Sequence, residues 1–296
     1  MSPPNQLDAA LGSGVLYVVA TPIGNLEDLT ARAAAILAGV DLIACEDTRH
    51  SRRLLDHLGI RKPLCAYHDH NEARTHPRLL SRLQAGDSIA LISDAGTPLI
   101  NDTGFTLVRE ARAQGIRVIP VPGPSALICA LSAAGLPSDR FLFLGFPPRS
   151  SAARRAFFDQ VAKEPGTLLL YESGKRMMAT LEDSAAVLGE TRQAVIAREL
   201  TKRFETFLTG TLGDLHARLS ADTDQQLGEF VLLVTGASGD EGAEQEREEA
   251  RILAILCAEL PTRQAAALTA RITGGQRNRL YRAALTCQQA EAQTSN

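Results

Sequence analysis

Three short turns hold the residues best suited to chemistry: Thr21-Pro22-Ile23-Gly24-Asn25, Ser93-Asp94-Ala95-Gly96-Thr97-Pro98 and Pro122-Gly123-Pro124-Ser125. Each follows a run of apolar residues. Glycine lets a backbone approach a ligand closely, and the acid and hydroxyls nearby supply a few directed polar contacts. Any one of the three could be a tight structural turn; together they predict a crevice that reads its ligand largely through backbone groups. A fourth segment, Glu46-Asp47-Thr48-Arg49, combines acids that can orient a hydroxyl with an arginine that can grip a phosphate. It reads equally well as a helix cap beside a surface cation. His68-Asp69-His70 has metal-ligand residue types, but alternate residues of an extended segment point to opposite sides, so polar loop or substrate contacts are the better reading. His70, Asn71 and Glu72 fit either acceptor contacts or a helix cap, and Glu199 with Lys202 either a site or an ion pair.

These segments need a scaffold that brings them to one place. Apolar runs at 15–20, 42–45, 88–92 and 117–121 alternate with helical patterns at 26–37, 48–58 and 103–114 and with a helix after Ser125. That alternation predicts a mainly parallel sheet with helices on both faces. In such sheets ligands bind beyond the carboxyl ends of the strands, where all three turns fall. After Leu136-Pro137 the pattern changes. Strands are expected at 140–144, 167–171, 193–198, 204–209 and 229–235, and helices at 150–163, 175–188 and 211–219, giving a mixed second sheet. The expected division is a lead-in without order at 1–13, a first α/β lobe at 14–123 and a second α/β lobe at 124–237. An acidic linker at 238–250 and a basic helical appendix at 251–296 complete it. Residues 251–282 carry Arg251, Arg263, Arg271, Arg277, Arg279 and Arg282 against Glu259 alone, and Thr273-Gly274-Gly275-Gln276 reads as a turn between two helices.

Composition narrows the classes. The 296 residues are 45% hydrophobic and 22% charged, enough to bury a core. No apolar stretch is long enough to span a bilayer, and the opening residues lack the charge and apolar blocks of a signal peptide. Five cysteines without a CxxC pair read as reduced thiols of a cytoplasmic protein. The net charge of −3 means that any nucleic-acid surface must be local. The sequence contains no G-x-G-x-x-G after the first strand, no G-x-x-x-x-G-K-[ST] and no G-x-S-x-G.

The same turns carry a family resemblance. Residues 16–28, Ala44-Cys45-Glu46-Asp47-Thr48-Arg49, Asp69-His70-Asn71-Glu72, residues 93–98, Val121-Pro122-Gly123-Pro124-Ser125-Ala126, Tyr171-Glu172-Ser173 and Arg198-Glu199-Leu200-Thr201-Lys202 resemble, in order, the ribosomal RNA small-subunit methyltransferase I family. The resemblance runs from about residue 14 to 236 and continues more weakly in the tail. The chain departs from the usual pattern at Gly174-Lys175, at Asn101-Asp102-Thr103-Gly104 and at Ala134.

The resemblance implies a two-lobed tetrapyrrole-methylase fold, S-adenosyl-L-methionine as cofactor without a metal, and methylation of the ribose 2′-hydroxyl of a cytidine in small-subunit rRNA. It implies the small ribosomal subunit or its rRNA as partner, a homodimer, and no membrane. Carried onto this chain, the cofactor site comprises Pro22, Gly24, Asp94, Ala95, Gly96, Thr97, Ile100, Ser125, Ala126, Tyr171 and Glu172. Asp47, Glu172 and His70 remain alternative catalytic groups. Arg49, Arg149, Arg154, Arg155, Arg271, Arg277, Arg279 and Arg282 are the expected RNA contacts. Two other readings stay open: a related methyltransferase acting on a tetrapyrrole or protein, and a non-catalytic RNA-binding assembly protein.

Overall fold

The computed structural model describes residues 12–68, 71–237 and 241–294. The chain forms two compact units, one of residues 1–162 with 166–235 and one of residues 163–165 with 236–296. Among the described residues no helix is long and apolar enough to cross a membrane.

The first unit holds two five-stranded sheets. In the first, β1 (Val15–Val19), β2 (Leu42–Cys45), β3 (Leu64–Ala66), β4 (Ile89–Ile92) and β5 (Arg117–Val121) run parallel in the order β3-β2-β4-β1-β5. All four residues of β2 and of β4 are buried, as central strands covered on both faces require. Helices α1 (Ala31–Gly39) and α2 (Thr48–His57) cover one face with Ile36, Leu37 and Leu55. Helices α3 (Glu72–Gln84) and α4 (Phe105–Ala113) cover the other with Leu79, Leu83 and Leu107.

The second sheet is mixed. Its strands β6 (Phe141–Phe143), β7 (Thr167–Ser173), β8 (Gln193–Arg198), β9 (Thr206–Thr211) and β10 (Glu229–Val234) lie in the order β6-β7-β10-β8-β9, with only β6 and β7 parallel. One face carries α6 (Ser151–Gln160), α7 (Gly174–Leu188) and α8 (Leu212–Ala221), packed through Phe158, Met177, Leu181 and Leu215. The other face is covered by α5 (Ala126–Ala133), whose Leu127, Ala130 and Leu131 meet Leu169, Val195 and Val231. So α5 leaves the last strand of the first sheet and packs on the second. Gly174 opens α7 where no side chain fits: an added Cβ would stand 2.1 Å from the Gln226 carbonyl oxygen.

Several expected elements differ in detail. The single helix expected at 26–37 is a 3-10 turn over Leu26–Asp28 followed by α1, because the Thr30 hydroxyl accepts the Ala33 N–H and starts a new helix. Strand β3 and helix α3 were not among the expected elements. In the second unit, the acidic segment expected as a linker is helical from Glu241, the first residue of α9 (Glu241–Glu259). Helices α10 (Thr262–Thr273) and α11 (Arg277–Thr294) follow, with Gly274 left-handed at φ 73° ending α10. Leu253, Ala265, Ala266, Leu280 and Ala284 form the small core of this unit.

Candidate functional site

The carboxyl ends of β1, β4 and β5 carry the three turns, and hydrogen bonds tie them together. Thr21 and Gly96 exchange backbone bonds of 2.9 and 3.0 Å. The Thr21 hydroxyl donates to the Ser93 carbonyl at 3.1 Å, and the Thr97 hydroxyl to the Pro124 carbonyl at 3.0 Å. Gly96 is left-handed at φ 83°, a conformation that side chains disfavour.

Between this edge and the second sheet lies a cavity of about 370 Å³, within the range of small-molecule sites. Asp94, Ala95, Gly96, Thr97 and Ile100 line it from the first lobe, and Ser125 and Ala126 from the start of α5. Tyr171 and Glu172 close it at the end of β7. Nine of the residues expected around a cofactor are therefore assembled on one cavity. Pro22 instead lines a smaller void behind Asp94. Gly24 serves lobe packing, since an added Cβ would lie 2.6 Å from Lys202 Cγ and 3.1 Å from the Leu200 carbonyl oxygen.

Tyr171 ties the start of α5 to the second sheet. Its hydroxyl accepts the Leu127 N–H at 3.1 Å, and its ring meets Phe143 and Phe146 edge-on at 4.8 and 5.7 Å. Burial pushes its phenol pKa up. Ser125 occupies the N-cap position of α5 without capping it through its side chain.

The candidate catalytic groups separate. Glu172 is 2% exposed, with both oxygens engaged: Oε1 accepts the Ser173 N–H at 2.8 Å, Oε2 accepts the Thr180 hydroxyl at 2.7 Å, and Arg176 stands 3.4 Å away. Asp47 does not line the cavity. Its carboxylate caps α2 by accepting the Arg49 N–H at 2.7 Å, and that bond holds its pKa below the usual carboxylate range. Its own N–H donates to Asp94 Oδ1 at 3.1 Å, which links the cap to the cavity wall. His70, like Asp69, lies outside the described residues.

Sequence reasoning passed over Asp102, Asn101 and Phe146, which also line the cavity. Burial raises the Asp102 pKa, as does the neighbouring Asp94 charge, against hydrogen bonds with Ser93 and Glu46. The available signal was position: Asp102 lies in the β4–α4 loop at the same sheet edge as the turns. Leu99 and Asn101 beside it adopt left-handed φ of 73° and 62°, which a sequence does not announce.

The expected RNA contacts also divide. Arg154 must be corrected: it is 4% exposed, its Nη2 pairs with Asp183 Oδ2 at 2.6 Å, and it cannot meet RNA from there. Arg155 bonds the same carboxylate at 2.6 Å while half-exposed. Arg149 is exposed, and Arg49 has a side chain 92% exposed. In the second unit Arg271, Arg277 and Arg282 are exposed, whereas Arg279 pairs with the buried Glu249.

Comparison with known proteins agrees with this architecture. Residues 15–216 match the tetrapyrrole (corrin/porphyrin) methylases, and residues 243–288 match the RsmI C-terminal HTH domain. The chain is 55% identical to ribosomal RNA small subunit methyltransferase I of Pseudomonas aeruginosa, over 93% of this chain and 98% of that one. It is 53% identical to the protein of that name from Escherichia coli O157:H7, over 92% and 95%. Among solved structures, the cobalt precorrin-4 methyltransferase CbiF superposes with a TM-score of 0.56 at 16% identity, covering 75% of this chain and 95% of that one. A diphthine synthase gives 0.56 at 15% identity, over 75% and 90%. These two show the fold alone. With the two-sheet cavity, the ordered motifs and identities above 50% along nearly the whole chain, this protein belongs to the ribosomal RNA small subunit methyltransferase I family of tetrapyrrole-methylase fold.

Proposed function

We propose that the chain is an S-adenosyl-L-methionine-dependent methyltransferase that methylates the ribose 2′-hydroxyl of a cytidine in 16S ribosomal RNA. The observation that carries this reading is the cavity, lined by the family's turn motifs, in a chain 55% identical to a relative named ribosomal RNA small subunit methyltransferase I. The lining suits the cofactor. Ile23, Ile100 and Phe146 offer apolar surface, while Asp94 and Asp102 offer negative charge to a cationic ligand. When bound, the cofactor supplies an activated methyl group and its own leaving group.

The chain's residues then have three tasks. The turns at Gly96 and Ala126 position the ligand through the backbone, and positioning of this kind is worth ~7–11 kcal/mol of a barrier. Tyr171, Phe146 and the β10 residues Phe230 and Val231 exclude water from the second-lobe side. Glu172, held by Thr180, Ser173 and Arg176 on the α7 side of β7, braces the strand end that presents Tyr171 to the cavity. The exposed arginines of α11 and Arg149 supply RNA contacts, and the active species is a homodimer in the cytoplasm.

The test is tritium transfer from labelled cofactor to small ribosomal subunits, followed by nucleoside mapping. Label in 2′-O-methylcytidine is the expected result. Label in a tetrapyrrole or a protein, or no transfer with intact cofactor binding, overturns the reading.

A further inference from the structure

The structure divides the arginines by partner. Arg154 and Arg155 are committed to Asp183, and Arg279 to Glu249. A guanidinium already paired with a carboxylate adds little net charge for a phosphate. Helix α2 is different. At 100° per residue, Arg49, Arg52, Arg53 and Asp56 fall within one arc of about 100°. Ser51, Leu54 and Leu55 fill the opposite, buried side. The three arginines are exposed. Arg52 and Arg53 have no hydrogen bond or ion pair among the described residues, and Arg49 stands 3.7 Å from Asp47 with its side chain in solvent. Asp56 is the single acid on the arc.

Place adds to charge. The Asp47 N–H at the start of α2 bonds Asp94, and Asp94 lines the cavity. With a rise of 1.5 Å per residue, Arg53 lies about 9 Å further along the helix axis. The arc therefore begins at the cavity edge and leads outward over the first lobe. The net charge of −3 means that the whole chain does not attract a polyanion, so this concentration of cations, with Arg52 and Arg53 unpaired among the described residues, is a local feature.

We propose that the exposed arc of α2, centred on Arg52 and Arg53, holds the phosphate backbone of the RNA strand whose ribose enters the cavity. The proposal rests on the function above and adds to it the surface along which the substrate runs. The second unit then acts as an additional grip.

The test uses the full-length Arg52→Gln/Arg53→Gln protein, with Arg52→Lys/Arg53→Lys as a charge-preserving rescue. Arg112→Gln/Arg117→Gln is the charge-matched control; both lie at the opposite sheet edge, in the last turn of α4 and at the first residue of β5. Each phosphate contact on a single strand contributes a log–log salt slope of about −0.7, so losing two flattens the slope by about 1.4 and weakens binding to small subunits about 5- to 10-fold. The KM for subunits rises while cofactor affinity and turnover at saturation stay near wild type. The lysine pair restores binding, and the control pair leaves it unchanged. An active wild type whose subunit affinity and salt slope ignore the glutamine pair overturns the α2 surface alone. So does a loss equalled by the control pair. A loss seen with intact subunits but absent with protein-free rRNA assigns the arc to a ribosomal protein and overturns the RNA proposal. A wild type that transfers no methyl group to subunits overturns the functional reading itself, and this one with it.

Discussion

The Tyr171 hydroxyl, at the end of β7, accepts the Leu127 N–H in the first turn of α5 at 3.1 Å. A helix start leaves its first N–H groups without intrahelical acceptors, and Ser125 at the N-cap does not supply one through its side chain. A residue 44 positions away therefore completes the helix terminus. The same ring lines the cavity, so one side chain joins the helix start, the second sheet and the candidate site.

Tyr171→Phe tests that relationship. The ring is kept and the acceptor lost, leaving an N–H unpaired, at a cost of about 1–3 kcal/mol. The expected result is a lower urea midpoint with an unchanged slope, together with weaker cofactor binding by calorimetry. A variant matching wild type in both would show that Tyr171 only fills space.

Gly96→Val separates site from fold. An added Cβ lies 3.5 Å from Ile23 Cγ2 and 4.0 Å from the Pro124 carbonyl oxygen, so no severe clash arises. The cost is the left-handed φ of 83°, on the order of 1–3 kcal/mol for a β-branched residue. The folded variant should lose most of its cofactor affinity, because the side chain stands on the cavity wall. Calorimetry on a variant with native circular dichroism checks this.

Asp183→Asn should be among the most destabilising single changes in the second lobe. Asp183 and Arg154 have side chains only 3% and 5% exposed, and removing one partner of a buried pair costs about 3–5 kcal/mol. Burial pushes the Asp183 carboxyl up, but hydrogen bonds from Arg155, Ser151 and Arg154 outweigh it and hold the pKa below the usual value. A carboxyl lowered in the folded state stabilises above its unfolded pKa and loses that contribution as pH falls through the folded value. The stability gap between wild type and variant should therefore be full at pH 7 and narrow below about pH 4. A pH-independent gap would assign it to packing.

Glu172 and Asp47 should part in kinetics. Glu172→Gln keeps the shape but removes the buried charge, and single-turnover rates should fall strongly. Asp47→Ala removes a helix cap that is not part of the cavity lining, and its effect on rate should be smaller. Equal losses at both positions would show that the link from Asp47 to Asp94 transmits to the reacting groups.

Ending the chain after Thr235 should leave cofactor affinity intact, because the cavity lining runs from Ile23 to Val231. Subunit binding should weaken and its salt slope flatten, through loss of Arg271, Arg277 and Arg282. Unchanged binding would assign α9–α11 a structural role.

The three turns and their shared edge were readable from residue types alone. Proline and glycine mark the ends of apolar runs, and the alternation of runs and helices puts those ends on one side of a parallel sheet. Strand β3 was not readable, because Leu64-Cys65-Ala66 is too short for a period to show, and α3 was readable only as the cap option at His70, Asn71 and Glu72, because Pro77 inside it argues against a helix interior. Tertiary structure alone decided which charges are available. Arg154 and Arg279 look in sequence like Arg52 and Arg53, yet Asp183, 29 residues from Arg154, and Glu249, 30 residues from Arg279, take them as partners. Likewise Asp102 joins the cavity only because a loop with two left-handed residues lies at its edge. Local sequence sets turns and periods through φ/ψ preference and side-chain spacing. Burial and the ion pairs of Arg154 and Arg279 belong to residues that meet only when the elements have packed.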